Sequence, residues 1–183
     1  MKIFRSIKSN FITQKFGENL NNFYAQLGMK GHNGIDFGTK LPDGVEELRY
    51  DVDEPGTVIN LSLSPTAGFG ITIDTEGYRH IYWHLKSMSC KVGDTVKLGN
   101  VLGMTDNTGQ YTTGAHLHRG LYQITAPTPT SKGAVINQDN GYGGAIDPMP
   151  FYNGIWVVDY IKQQMGIIQQ MIFILQKLLN LIK

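Results

Sequence analysis

The chain has 183 residues, 41% of them hydrophobic, enough for one domain with a sizeable core plus an appendage. Sixteen basic against fifteen acidic residues leave a net charge of +1, so no bulk field marks a nucleic-acid binder. Cys90 is the single cysteine, which excludes an intrachain disulfide and a thiolate-rich zinc knuckle, and it is read as a small buried apolar residue.

The opening residues, 1–8, carry positive charge but lack the apolar run of about 7–15 residues that a cleaved secretory signal needs. No segment reaches the roughly 20 apolar residues of a transmembrane helix. A first strand is expected over Phe11–Gly17. Further β-branched or aromatic runs bounded by Gly, Pro and Asp predict strands over Gly56–Leu61, Phe69–Asp74 and Tyr78–His84. Thr75-Glu76-Gly77 has the length of a tight antiparallel hairpin between the last two. Val92-Gly93-Asp94 and Leu98-Gly99-Asn100 punctuate shorter apolar pieces, and most of the 22 glycines belong to this body. The fold expected is mainly β, an antiparallel sheet or sandwich over residues 1–152. Within it, residues 125–150 carry four prolines and several glycines and are read as a long loop.

After Gly154 the pattern changes. Val158, Ile161, Met165, Ile168, Ile172, Leu175, Leu179 and Ile182 alternate by three and four, the signature of a helix with an apolar seam. About 25 residues at 1.5 Å each give roughly 37 Å. Ile167, Met171, Ile174, Leu178 and Leu181 widen the seam, so residues 153–183 are expected to assemble or anchor the chain. Self-association into a bundle, packing on a partner or larger assembly, and interfacial membrane contact are the three outcomes that face allows.

Two segments hold three of the five histidines: His32-Asn33-Gly34-Ile35-Asp36 and His116-Leu117-His118. In extended chain, positions two or four apart share a face, so His116 pairs with His118, and His32 with Asp36. Asn33-Gly34 and Gly38 disfavour the helical alternative. A carboxylate and two imidazoles are three protein ligands, the catalytic pattern for Zn2+, with the fourth tetrahedral position open. His32, Asp36 and one histidine of the His-x-His pair are the candidate ligands. His84 and the other member of the pair are then the candidates for proton transfer in amide hydrolysis. His80 would face the same way as His84 in an unbroken strand, but a structural role is expected for it.

These residues resemble the M23 family of zinc metallopeptidases, the lysostaphin-like peptidoglycan endopeptidases. The resemblance runs through Gly31–Phe37, Tyr82-Trp83-His84-Leu85, Val92–Gly99, Asn107-Thr108-Gly109, Thr113–His118 and Ala145–Pro148. It implies His32, Asp36 and His118 as zinc ligands, His84 and His116 as the catalytic pair, and Tyr24 as a further site tyrosine. It also implies a zinc-dependent endopeptidase acting on the peptides of bacterial peptidoglycan. Arg119 and Gly120 depart from the aromatic and acidic residues that usually follow the pair, and Arg119 is expected on the face opposite His118. Together with the seam helix, the opening residues suggest a protein made in the cytoplasm and acting at the cell wall, as a phage endolysin or virion component. The alternative is a catalytically silent wall-binding or structural component assembled through the helix.

Overall fold

The computed structural model describes residues 1–41, 43–128 and 132–181. In chain order the strands are β1 (Ile3–Arg5), β2 (Phe11–Gln14), β3 (Ile35–Gly38), β4 (Glu47–Arg49), β5 (Gly56–Ser64) and β6 (Gly68–Asp74). They continue with β7 (Tyr78–Met88), β8 (Thr95–Val96), β9 (Val101–Thr105), β10 (His116–Gln123) and β11 (Tyr152–Trp156), which runs into helix α1 (Val157–Leu181). A nine-stranded sheet has the order β2-β3-β10-β7-β6-β5-β8, with β9 on β7 and β4 on β9, every pairing antiparallel. β1 and β11 form a separate parallel pair. The mainly β fold and the long terminal helix are as expected from the sequence.

Alternation along the central strands turns Phe37, Ile71, Ile73, Tyr82 and Leu117 into one apolar core, while their neighbours face outward on a second surface. Leu117 inward puts His116 and His118 outward. The hairpin between β6 and β7 turns at Gly77, whose φ of +80° suits glycine.

Several expectations are corrected. The first predicted strand stops at Gln14 because the chain turns at Gly17, with φ +79°. The opening residues contribute β1, and Leu20–Leu27 forms a 3-10 segment that periodicity did not signal. His32 is not on a strand: extended pairing begins only at Ile35, and the turn through Asn33-Gly34 brings His32 back toward Asp36. Cys90 is half-buried against the core rather than enclosed by it. Residues 129–131 of the predicted loop, Ile182 of the seam and the Leu181 side chain lie outside what is described.

Opposite His118, Arg119 is 1% exposed and pairs with Asp51, also 1%, through Nε to Oδ2 at 3.0 Å and an Nη to Oδ1 at 3.1 Å. Tyr82 donates its hydroxyl to Asp51 Oδ1 at 2.6 Å, and its ring lies 4.5 Å from the guanidinium. Arg119 also donates to His80 Nδ1 at 2.9 Å, which leaves the other ring nitrogen to donate to Thr75 Oγ1 at 3.1 Å. Burial first, then the Arg119 charge, hold His80 well below the ordinary histidine range, so it is a neutral structural residue. Removing one partner of a buried pair strands the other charge, a cost of about 3–5 kcal/mol. Asp51→Asn is therefore expected to lower the stability by that amount in urea titration; a loss under about 1 kcal/mol would show that the pair is not needed.

Among the described residues, helix α1 is held only at its start. Val157 is buried, the Tyr160 ring lies 4.4 Å from Phe4, and Ile161 sits on Gly99. From Ile167 to Leu179 the apolar side chains are exposed.

Candidate active site

Register sets up one face of the site. Asp36 on β3 lies opposite His118 on β10, His118 opposite Trp83 on β7, Trp83 opposite Gly70 on β6, and Gly70 opposite Ser62 on β5. This row crosses five strands. His32 enters it from the turn before β3, with its Nε2 3.2 Å from Asp36 Oδ1 and 2.9 Å from His118 Nδ1. His118 Nδ1 is 3.0 Å from the same carboxylate oxygen. The three residues are buried and are a grouping whose donor atoms could hold one metal ion.

Tautomers sharpen that geometry. His32 directs Nδ1–H to the Lys15 carbonyl at 3.2 Å, so its Nε2 presents a lone pair to the other two donors. Three edges of 2.9–3.2 Å fit a tetrahedral cation, whose ligands at about 2.0 Å would stand roughly 3.3 Å apart. Burial pushes Asp36 upward, yet the His118 and His32 imidazoles that face it outweigh burial and hold the carboxyl well below the usual range. A charged carboxylate facing two imidazole nitrogens is the donor set zinc takes. Glycine is needed beside it: a Cβ on Gly34 would stand 2.6 Å from His118 Cε1 and 2.8 Å from the Arg119 carbonyl.

His84 arrives by a different route. Trp83 and Leu85 pair with the successive residues Gly70 and Phe69, leaving His84 as the extra residue of a bulge, with φ +66°. The bulge breaks the alternation that would have aligned His84 with His80 and turns it to the site, where its ring lies 4.6 Å from His116. Thr108 secures it. Its carbonyl accepts His84 Nδ1–H at 2.8 Å, while its hydroxyl donates to the Leu85 carbonyl at 2.8 Å. Burial, then the neighbouring His116, lower His84 to about 4, so it is neutral at pH 7. His116 donates Nδ1–H to the Gly114 carbonyl at 2.7 Å and sets Nε2 3.5 Å from Asp36 Oδ2.

All five candidates from the sequence, His32, Asp36, His84, His116 and His118, therefore meet at one place. They line a cleft of about 910 Å³. Sequence reasoning passed over the role of Trp83, whose ring stacks on His118 at 5.0 Å and 18°, and over Phe23 and Tyr111 in the same cleft. Only the register, and the space left by Gly70 under the indole, reveal the stacking. Tyr24 does reach the site, 5.6 Å from the His32 ring, with its hydroxyl on Gln14 Oε1. Burial, then the Asp36 charge, push it up to about 12.

Comparison with known proteins shows which family the chain falls in. The model of peptidase family M23 matches residues 30–138, which include all five histidines and Asp36. An uncharacterized metalloprotease of Buchnera aphidicola is 37% identical over 116 residues, covering 63% of this chain and 29% of that protein. Lysostaphin of Staphylococcus simulans is 31% identical over 139 residues, covering 68% of this chain and 26% of its own length. The chain thus spans under a third of these curated relatives. Among solved structures, LytU is similar with a TM-score of 0.57 and 31% identity, over 79% of this chain and 85% of that one. The lysostaphin catalytic domain shares the fold, with a TM-score of 0.58 at 23% identity over 78% and 91% of the two chains. From the strand register to the matched residues, these observations agree that the chain belongs to peptidase family M23.

Proposed function

We propose that the chain is a zinc-dependent endopeptidase that hydrolyses peptide bonds in bacterial peptidoglycan. The observation that carries this is the convergence of His32 Nε2, His118 Nδ1 and Asp36 Oδ1, with His84 and His116 beside them in an open cleft. Relatives point the same way: lysostaphin, a glycyl-glycine endopeptidase of Staphylococcus capitis and a peptidoglycan DD-endopeptidase of Vibrio cholerae are each 31% identical over the matched residues.

His32, Asp36 and His118 would hold the zinc, which when bound acidifies water toward neutral pKa and polarises the substrate carbonyl. His116 has its Nδ1–H committed to Gly114, so Nε2 is the atom that takes the proton lost by the attacking water and returns it to the departing amine. Hydrolysis then releases a carboxylate and an amine. His84, neutral and with Nδ1–H committed to Thr108, offers a lone pair at Nε2. It orients a water or peptide N–H, and donates to a developing oxyanion only after it has been protonated.

The purified chain is expected to clear a peptidoglycan suspension, to stop on chelation and to recover with added zinc, followed by turbidity. Clearing that survives exhaustive chelation, or no release of new amines with zinc present, would remove the reading.

The exposed seam of α1 favours assembly of several copies as a companion property, with attachment to a larger body such as a virion as the alternative use. A catalytically silent structural role would keep the seam and lose the zinc-dependent clearing. Truncation after Gln164 spares β11 and the packed first turns of α1. It is expected to reduce the mass seen by light scattering to that of one chain; an unchanged mass would end the self-association proposal.

A further inference from the structure

Three of the four histidines of the site are anchored at one ring nitrogen by a main-chain carbonyl: His32 on Lys15 at 3.2 Å, His84 on Thr108 at 2.8 Å and His116 on Gly114 at 2.7 Å. Such a bond sets the plane of an imidazole and the nitrogen that it presents. His118 is the exception. Its Nδ1 faces His32 and Asp36, and among the described residues its Nε2 has no hydrogen-bond partner. The Cε1–Nε2 edge lies against Gly34, where a Cβ would stand 2.6 and 2.8 Å from those two atoms. The face of the ring is covered by Trp83, stacked on it at 5.0 Å and 18°. The indole is in turn seated against Gly70 across the β6–β7 pair, where a Cβ would stand 2.3 Å from Trp83 Cδ1 and 2.9 Å from its Nε1. Trp83 is half-buried and lines the cleft.

Resting on the reading of His32, Asp36 and His118 as metal ligands, we infer that Trp83 is a positioning residue for the metal: it holds the His118 ring in the plane that aims Nδ1 between His32 and Asp36. The stack does for His118 what a carbonyl does for the other three. An imidazole that gives its Nδ1 lone pair to a metal carries its proton at Nε2, and no main-chain acceptor fixes that end of His118. The outer torsion of a histidine is broad and soft, so contact on the ring face, with Gly34 at its edge, is what opposes rotation. A separation of 5.0 Å lies within the range of about 4.5–7 Å for favourable aromatic pairs, and 18° makes it a face contact rather than an edge contact. Gly70 belongs to the same arrangement, because a side chain there would occupy the place of the indole. Losing an outer partner of a metal ligand lowers affinity by about 10–100-fold, and a stacked pair accounts for the lower end of that range.

The test uses the full chain without metal and then with it. In the chelator-treated chain the ring protons of His118 are expected upfield of those of the other histidines by NMR, and Trp83→Ala is expected to remove that displacement. Zinc affinity, by competition with a chelating dye, is expected to fall about ten-fold in Trp83→Ala and to stay within about three-fold in Trp83→Phe, which keeps a ring. The absorption of Co2+ at the site, which reports ligand geometry, is expected to change in Trp83→Ala and to be restored in Trp83→Phe. Gly70→Ala acts without altering Trp83 itself: its Cβ displaces the indole, so it is expected to weaken zinc binding in the parent chain and to have no further effect in Trp83→Ala. Unchanged zinc affinity in a folded Trp83→Ala or Gly70→Ala protein, an unchanged Co2+ absorption in Trp83→Ala, or losses that add in the double variant would overturn the inference. Zinc binding with these dependences but no clearing of peptidoglycan would uphold the role of Trp83 and sink the hydrolytic reading instead. A parent chain that takes up no zinc would sink the metal centre and this role together.

Discussion

Asp36→Asn is expected to lose zinc affinity by roughly 10²–10³-fold, read by competition with a chelating dye, and to lose clearing activity with it. Asp36 stands at the centre of the group, its Oδ1 within 3.2 Å of His32 and 3.0 Å of His118 and its Oδ2 3.5 Å from His116. Zinc sites in small domains are worth about 10–16 kcal/mol, so one ligand's share is about 3–4 kcal/mol. Asparagine keeps the shape but removes the charge that both histidines face. The cleft residues Tyr24 and Trp83 touch the histidines rather than the carboxylate, so the variant is expected to keep its fold by circular dichroism. Unchanged zinc affinity in a folded Asp36→Asn protein would show that the metal is held elsewhere.

His116→Ala is expected to behave oppositely, retaining zinc within a few-fold while kcat falls by about 10²–10⁴, the range general acid–base catalysis supplies. Its ring is half-buried, and its Nε2 reaches Asp36 Oδ2 rather than the shared Oδ1. A loss confined to KM would assign His116 to substrate binding, and a parallel loss of zinc would make it a ligand. His84 sits too close to be left out of that comparison, and it is anchored in the same way: each histidine directs Nδ1–H to a main-chain carbonyl, that of half-buried Thr108 for His84 and that of exposed Gly114 for His116.

Much of this site was legible before any coordinates. His-x-His on a strand requires two imidazoles on one face, and Leu117 between them, apolar and buried, confirms which face is inward. The spacing of His32 and Asp36 also pointed to one centre, although the reason differed: a turn at Asn33-Gly34 closes the pair, not a continuous strand. His84 was legible as a candidate for proton transfer, but the way it reaches the site was not. The bulge that redirects it depends on which residues of β6 it faces, and pairing register is not local information.

Arg119 shows the same division from the other side of the sheet. Alternation alone sends it away from His118, but nothing local names Asp51, 68 residues distant, as its partner. The aromatic run of Tyr24, Phe23 and Tyr111 likewise joins a 3-10 segment to a loop more than 80 residues away.

The sequence by itself determined the β-rich body, the terminal helix and a candidate donor set of His32, Asp36 and one histidine of the His-x-His pair, because periodicity and donor chemistry are carried by residue type and near spacing; the resemblance, not the spacing, pointed to His118. Tertiary structure alone decided which ring nitrogen of each histidine faces the centre, that Trp83 stacks on His118, and that Arg119 is paired in the core. Those outcomes rest on contacts between strands and loops far apart in the chain, where hydrogen-bond partners and packing, rather than local preference, choose the arrangement.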